Sequence, residues 1–185
     1  MLQIRGERKH YFMTGTSIKI IPAGWKHYAL LAEIGGSTFY ETFADDNTEE
    51  DMKSYIAKTY SKEKLLENIK NPSIKYFVAY DDAGDVGYIK LIHDARIDGL
   101  SGKVMELEKI YVRKDAIGTK IGSALMEQAI QYAKENAYNY LFLGVWQDNE
   151  RAIAFYQKYG FKTFATRKFT LGKRVCDDYL MALEL

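Results

Sequence analysis

The stretch that most restricts the fold of this chain is a largely apolar run at residues 138–146, YNYLFLGVW. The run lacks the alternation of a half-exposed strand, so it is typical of a central strand that is covered on both faces. Amphipathic helical patterns precede and follow it, at residues 118–137 and 149–161. The run therefore predicts a sheet with helices packed above and below it.

The remaining elements follow from changes in the hydrophobic period along the chain. A short strand closed by Pro22 precedes three helical patterns, and the first of these is interrupted at Gly35 and Gly36. A hairpin (KYFVAY, DDAGD, VGYIKLI), a longer strand (VMELEKIYV) and a closing hairpin follow. We predict an α+β fold with a mixed, mostly antiparallel central sheet of six to seven strands and helices on both faces. The 185 residues suit a single domain at residues 18–185, and we expect residues 1–17 to be a flexible N-terminal extension.

Composition excludes several classes of partner and cofactor. Lys plus Arg number 26 against 25 Asp plus Glu, so the net charge of +1 provides no basic footprint for nucleic acid. No apolar run reaches the ~18 residues that span a bilayer, and no secretory leader is evident, so we expect no membrane association. Cys176 is the single cysteine, which excludes an internal disulfide and favours a cytoplasmic location. The three histidines lack metal-ligand spacing, and we expect no metal.

One junction has the form of an anion site. In ELEKIYVRKDAIGTKIGSAL a strand runs into a glycine-containing loop and then into a helix start. Exposed backbone amides and the helix dipole at such a junction can hold a phosphate group. The pattern is frequent in α/β proteins, so by itself it indicates phosphate binding only weakly.

Taken together, these motifs resemble the GNAT superfamily of acetyl-CoA-dependent N-acetyltransferases over residues 18–185. YFVAYDDAGDVGYIKL is similar to the second and third strands of that family, and ELEKIYV is similar to its fourth. The most specific similarity is between LGVWQDNERAIAFYQKYGF and the family segment Asn-x-x-Ala-x-x-x-Tyr-x-Lys-x-Gly-Phe. With STFYETFADDNTEEDMKSYI, the chain is similar in particular to PaiA-type polyamine acetyltransferases. The resemblance implies acetyl-CoA as co-substrate and a primary amine as acceptor, in a direct attack within a ternary complex.

The resemblance gives two acidic residues a candidate role as general base. An amine must be neutral to attack a thioester, and an amine of pKa ~10.4 at pH 7 is roughly 4.6 kcal/mol from its neutral form. Glu106 and Glu108 are two residues apart on a strand, so both point to one face, and either can accept the proton. Acids in such pairs are also often solvated, or paired with a cation such as Lys109 or Arg113.

Tyr156 also has two interpretations. By spacing it belongs to a stripe with Ala152, Phe155 and Tyr159, which predicts packing against the sheet. The resemblance implies instead that its phenol protonates the leaving thiolate, whose pKa is near ~8.5.

Contacts to CoA are implied at three segments. A bulge in the fourth strand splays it from the fifth in this family, and freed backbone amides face the acetyl and pantetheine groups. The glycine loop holds the pyrophosphate, and the last helix contributes an asparagine and a lysine. These positions are Ile110, Tyr111, Val112, Gly118, Thr119, Lys120, Ile121, Gly122, Ser123, Asn149 and Lys158. By composition alone, Asn149 is a helix N-cap and Lys158 is an ordinary exposed lysine.

The pyrophosphate loop departs from the family pattern Gln/Arg-x-x-Gly-x-Gly/Ala. Ile117 stands at the polar first position and Lys120 at the middle glycine, whereas the last glycine, Gly122, is present. A lysine brings a cation to the pyrophosphate but does not tolerate positive φ as glycine does. We expect Gly118 to relax the turn instead.

The acceptor is suggested by the stretch ETFADDNTEED, residues 41–51, which holds six carboxylates and no basic residue. In the family this region borders the acceptor site, and a concentrated negative potential attracts a polycation such as spermidine or spermine. The same acids also suit a helix N-terminus. We predict a small polyamine-like acceptor and a monomer or homodimer. Two alternatives stay open, namely acetylation of protein N-termini, as by ribosomal-protein acetyltransferases, and a GNAT-fold sensor that binds CoA or polyamines without turnover.

Overall fold

Seven strands and five helices occur in the part of the chain that the computed structural model describes, residues 17–82, 84–172 and 174–185. The predicted extension at residues 1–17 lies outside these ranges apart from Ser17. The strands are β1 (Lys19–Pro22), β2 (Ile74–Asp81), β3 (Gly84–Ile92), β4 (Val104–Val112), β5 (Tyr140–Trp146), β6 (Lys162–Leu171) and β7 (Arg174–Glu184). The helices are α1 (Tyr28–Phe43), α2 (Glu49–Thr59), α3 (Lys62–Lys70), α4 (Ile121–Glu135) and α5 (Glu150–Lys158).

The strands form one mixed sheet in the order β1-β2-β3-β4-β5-β7-β6. Its neighbouring strands are antiparallel except for β4 and β5, which are parallel. The apolar run in β5 lies inside the sheet between β4 and β7, and Leu141, Phe142 and Leu143 are buried. The predicted α+β class, the mostly antiparallel sheet and the central strand are confirmed.

Successive strand residues point to opposite faces, and each face is covered by its own helices. On one face Phe77 and Ala79 of β2 belong to a core that includes α4 and α5. On the other face Tyr76 and Val78 pack with residues of α1 and α3, among them Leu31. We call these the α4/α5 face and the α1 face.

Helix α1 differs from the prediction, because Gly35 and Gly36 do not interrupt it. A Cβ atom on Gly35 would meet the ring of Tyr60 and lie 2.6 Å from the hydroxyl oxygen of Tyr88. The missing side chain thus allows the helix to lie against two buried tyrosines. The predicted interruption was wrong because packing outweighs the intrinsic helix penalty of glycine, about 1 kcal/mol.

Helix α5 begins and ends where its sequence predicts. The Asn149 side-chain oxygen accepts a hydrogen bond from the Ala152 amide at 3.1 Å, which caps the first turn. Gly160 has φ +89°. The Gly160 amide donates to the Gln157 carbonyl and the Phe161 amide to the Tyr156 carbonyl, the pattern of a Schellman motif. Both helix ends are therefore fixed, and with them the position of Tyr156.

Candidate active site

A gap opens in the sheet where β4 separates from β5. The pairing between these two strands consists of three residue pairs and ends at Glu106 and Phe142. Beyond that point, the edges of both strands that face the gap have no partner strand among the described residues. Backbone amides and carbonyls along this edge are consequently available to a ligand.

A β-bulge accompanies the separation. In the pairing of β3 with β4, Lys90 lies opposite Lys109 and Leu91 opposite Leu107, which leaves Glu108 as the extra residue. Bulges of this kind bend a strand and increase its twist. The bulge and the splayed strands agree with what the family resemblance implied.

A cavity of about 870 Å³ occupies the gap and is lined by residues from both faces of the sheet. On the α4/α5 face it is lined by the loop before α4 and by α5, including Gly118, Thr119, Gly122, Ser123, Asn149, Ala152, Phe155 and Tyr156. On the α1 face it is lined by Thr38, Glu41, Thr42, Phe43, Glu108, Lys109 and Trp146. The predicted residues Ile110, Tyr111 and Val112 lie along its β4 wall. The cavity thus extends along the gap between the α1 face and the α4/α5 face.

The loop before α4 provides the predicted turn. Gly118 has φ +86°, in the left-handed region that glycine tolerates. Lys120 has φ −79° and ψ 1°, so a lysine at this position carries no backbone strain. The amides of Gly122 and Ser123 belong to the first helical turn, where amides lack acceptors within the helix. These amides and the helix dipole suit a pyrophosphate.

Three of the predicted CoA contacts do not line the cavity. Ile121 is buried in the core and offers only its backbone, Lys120 is exposed, and Lys158 lies in the last turn of α5. Two basic residues that the sequence reasoning missed, Lys114 and Arg151, line the cavity instead. No motif identified them, because their proximity depends on how the loop and α5 meet across the sheet.

Tyr156 lies on the cavity wall and is 9% exposed. Burial raises the pKa of its phenol above the ordinary value, and the neighbouring Tyr111 raises it further. The phenol is therefore protonated at neutral pH. Its hydroxyl group forms no hydrogen bond to any residue that the structure describes, so it is free to donate to a ligand in the cavity.

Glu108 is held between two lysines. Its carboxylate oxygens lie 2.6 Å from Lys90 Nζ and 3.6 Å from Lys109 Nζ. Burial alone would raise the pKa of Glu108, but the two ammonium groups outweigh burial and lower it. The ion-pair interpretation of this acid is therefore supported, with Lys90 as a partner that the sequence did not indicate. Arg113, the other cation considered, pairs with Glu33 and Asp85.

Glu106 has a different environment. It does not itself line the cavity, unlike Glu108, but it precedes the lining residue Leu107 and forms the last β4–β5 pair before the strands separate. Its side chain is 15% exposed, and one carboxylate oxygen lies 3.6 Å from Arg167 Nη1. Burial raises its pKa, and the charge of Glu108 adds to this, while Arg167 acts in the opposite direction. The two glutamates that the sequence could not separate thus have pKa values shifted in opposite directions.

The acidic stretch mainly supports local structure. Asp46 pairs with Arg174 at 3.0 Å, Glu49 accepts a hydrogen bond from Tyr40, and Asp51 contributes its amide to the Thr48 cap. Of its six carboxylates (Glu41, Asp45, Asp46, Glu49, Glu50 and Asp51), Glu41 alone lines the cavity. Because Glu49, Glu50 and Asp51 lie in the first turn of α2, the helix N-terminus interpretation accounts for three of the six.

Aromatic rings form part of the α1-face wall beside Glu41. The ring centroids of Phe43 and Trp146 are 5.9 Å apart. The guanidinium of Arg174 lies 5.6 Å from the centre of the Trp146 ring and is tied to Asp46. This contact anchors the connection between α1 and α2 beside the cavity.

Two other kinds of site are not seen in the described residues. No group of three or more His, Cys, Asp or Glu side chains among them is placed to hold a metal ion. No helix within the described ranges is long and apolar enough to cross a membrane.

Comparisons with known proteins agree with this geometry. Residues 37–161 match the acetyltransferase (GNAT) family. An uncharacterized N-acetyltransferase of Lactobacillus delbrueckii subsp. lactis is 33% identical over 167 residues, which cover 90% of this chain and 96% of that protein. The spermidine N(1)-acetyltransferase of Thermoplasma acidophilum is 29% identical over 150 residues, 79% of this chain and 89% of that protein.

Solved structures of N-acetyltransferases also resemble this chain. The crystal structure of the PaiA N-acetyltransferase of Thermoplasma acidophilum in complex with coenzyme A superimposes with a TM-score of 0.74 and 28% identity, covering 91% of this chain and 99% of that one. The splayed strands, the glycine loop at a helix start and the buried tyrosine on the gap agree with what the family resemblance implied for a thioester co-substrate. With a family match over more than half of its length, the chain belongs to the GNAT acetyltransferases and is an N-acetyltransferase that uses acetyl-CoA.

Proposed function

We propose that the enzyme transfers the acetyl group of acetyl-CoA to a primary amine of a polyamine such as spermidine. The observation that carries this proposal is the charge distribution along the α1-face half of the cavity. Lys109, 11% exposed, lies near the gap, whereas the exposed Glu41 lies on α1 and forms no ion pair with any described residue.

This distribution suits an acceptor with an amine at each end. A cation beside the reacting amine favours its neutral form, which is the form that attacks a thioester. The Glu41 carboxylate at the other end favours a protonated amine through charge attraction. The Phe43 ring can add a cation–π contact, whereas the Trp146 ring already carries the Arg174 guanidinium. The similarity to a spermidine acetyltransferase supports the same acceptor class.

We assign the proton transfers to two side chains. As the amine nitrogen bonds to the acetyl carbon and the carbon–sulfur bond breaks, Glu106, which lies next to the cavity wall at Leu107, accepts the amine proton through one water, and Tyr156 donates a proton to the departing sulfur. Unpaired amides of β4 in the gap stabilise the negative charge on the acetyl oxygen. Glu106 is preferred to Glu108 because two lysines hold Glu108 as a weak base.

The test is release of free thiol from acetyl-CoA with spermidine, spermine, putrescine, lysine and short peptides as acceptors. We expect the polyamines to react with the highest kcat/KM. In Glu41→Gln the KM for spermidine should rise about three- to tenfold, as expected for loss of one charged contact, with the KM for acetyl-CoA unchanged. Glu50→Gln is the matched control, because Glu50 lies in the same acidic stretch but does not line the cavity. Faster acetylation of peptides than of every polyamine would contradict the proposed acceptor.

A further inference from the structure

A single arginine connects four strands at the end of the gap. Arg167 begins on β6, its Nε lies 3.7 Å from a carboxylate oxygen of Asp178 on β7, and its Nη1 lies 3.6 Å from Glu106 on β4. Between β7 and β4 lies β5, so the guanidinium must pass over this central strand. Deepening the proposed function, on which this inference rests, we propose that Arg167 is a positioning residue that holds the Glu106 carboxylate ionised beside the gap.

Gly144 of β5 leaves the space that the Arg167 side chain occupies as it crosses this strand. A Cβ atom at that position would lie 2.5 Å from Arg167 Nη2 and 3.2 Å from its central carbon. Any other residue there would displace the guanidinium from its place over the strand. The contact shows that Arg167 is packed against the sheet and is not simply solvated, although its side chain is 43% exposed.

The charges that face Glu106 come from three strands. Glu108 on its own strand disfavours ionisation, Lys90 on β3 favours it but lies against Glu108, and Arg167 on β6 favours it from the other side. Burial of the Glu106 carboxyl raises its pKa, and Arg167 is the leading charge that opposes this effect. Loss of the guanidinium should therefore leave more Glu106 protonated at a given pH, and a protonated carboxyl cannot accept the amine proton.

Asp178 competes for the same guanidinium. Its side chain is 12% exposed, and burial raises its pKa while Arg167 acts in the opposite direction. Because one cation serves two carboxylates, removal of the Asp178 charge should free Arg167 for Glu106. The arrangement thus predicts effects of opposite sign for substitutions at its two ends.

The same hairpin offers a matched control. Lys168 Nζ and Asp177 lie 3.1 Å apart, one residue along from the Arg167 and Asp178 pair on β6 and β7. Both side chains are largely exposed, at 72% and 53%, and successive residues of a strand point to opposite faces. Lys168→Gln therefore removes one cation from the hairpin without removing one from the face that carries Glu106.

The experiment measures kcat/KM for acetyl transfer to spermidine from pH 6 to pH 9 in the wild type, Arg167→Gln, Asp178→Asn and Lys168→Gln. Deprotonation of the amine itself affects all four proteins equally, so the ratio of variant to wild type isolates the protein group. We expect Arg167→Gln to be roughly three- to tenfold less active at pH 6, with the deficit shrinking as the pH rises. Asp178→Asn should shift the acid limb to lower pH, and Lys168→Gln should match the wild type.

A second measurement does not depend on turnover. Carboxyl-carbon NMR titration of Glu106, assigned with Glu106→Gln, should give a higher midpoint in Arg167→Gln and an unchanged one in Lys168→Gln. An activity ratio that is constant with pH, together with an unchanged Glu106 midpoint, would overturn the role of Arg167. Absence of thiol release from the wild type with any polyamine would overturn the proposed acceptor instead, and the NMR titration would still decide the inference.

Discussion

Burial and neighbouring charges give the titratable residues around the gap different properties. Glu108 is fixed as a carboxylate by Lys90 and Lys109, whereas Glu106 and Tyr156 have raised pKa values. In the proposed reaction Glu106 would act as the base and Tyr156, which stays protonated, as the acid. The geometry therefore distinguishes the two glutamates by the direction in which their pKa values are shifted.

Tyr156→Phe tests the acid directly. Removal of the hydroxyl leaves the ring in the core, so we expect an unchanged Kd for acetyl-CoA and a kcat lower by about 10²-fold. Tyr159→Phe is the control, because Tyr159 belongs to the same stripe but does not line the cavity. Calorimetry gives the Kd and thiol release gives kcat. Equal kcat values in the two variants would show that Tyr156 only packs.

At this scale the sequence predicted residue types better than their electrostatic partners. The placement of Tyr156 and Asn149 on α5 was predictable, because that helix has a recognisable cap, stripe and stop, while their proposed roles came only from the family resemblance. The pairing of Glu108 with Lys90 could not be predicted from the sequence, because it depends on the register between β3 and β4 and on the bulge. Arg167 was missed for a similar reason, because its contact with Glu106 crosses two intervening strands.

At the scale of elements, the two adjacent glycines of α1 have unequal roles. A Cβ atom on Gly35 would overlap the Tyr60 ring, whereas one on Gly36 would lie 3.4 Å from Ile56, an ordinary contact. The sequence indicated only that glycine disfavours a helix. It could not indicate which glycine faces a buried ring, because that depends on how α1 packs on the sheet.

Substitution by alanine should distinguish the two positions. We expect Gly35→Ala to lower the free energy of unfolding by about 1–3 kcal/mol through overpacking. Gly36→Ala should leave it unchanged or raise it by up to about 1 kcal/mol, because alanine is the better helix former. Urea unfolding measures both values. Equal destabilisation by the two changes would contradict the packing explanation.

At the scale of the whole molecule, the shortest strand pairing of the sheet lies at the proposed co-substrate site. The β4–β5 contact is limited to three residue pairs, while β3–β4 and β5–β7 pair over most of their lengths. The order and class of the elements were predictable from hydrophobic period. The gap itself was expected only from the family resemblance, since no local pattern shows where two strands separate.

Acetyl-CoA should therefore stabilise the protein measurably. At a ligand concentration of 100 times Kd the expected stabilisation is about 2.7 kcal/mol, or roughly 5–11 °C in Tm for a domain of this size. Gly118→Val should reduce the shift, because valine disfavours the positive φ of this loop. Gly24→Val is the control, since a Cβ atom there meets nothing within 4 Å. A shift that does not grow with the logarithm of ligand concentration would argue against binding.

The two sides of the cavity are lined by separate parts of the chain. Helix α1 supplies much of the wall on one side, whereas the loop before α4 and helix α5 supply the other. If the proposed function holds, changes in α1 should alter the amine preference and leave the proposed acetyl-CoA site unchanged. The fold is therefore a practical scaffold for engineering, because α1 can be varied to accept new amines while the loop before α4 and helix α5 are kept unchanged.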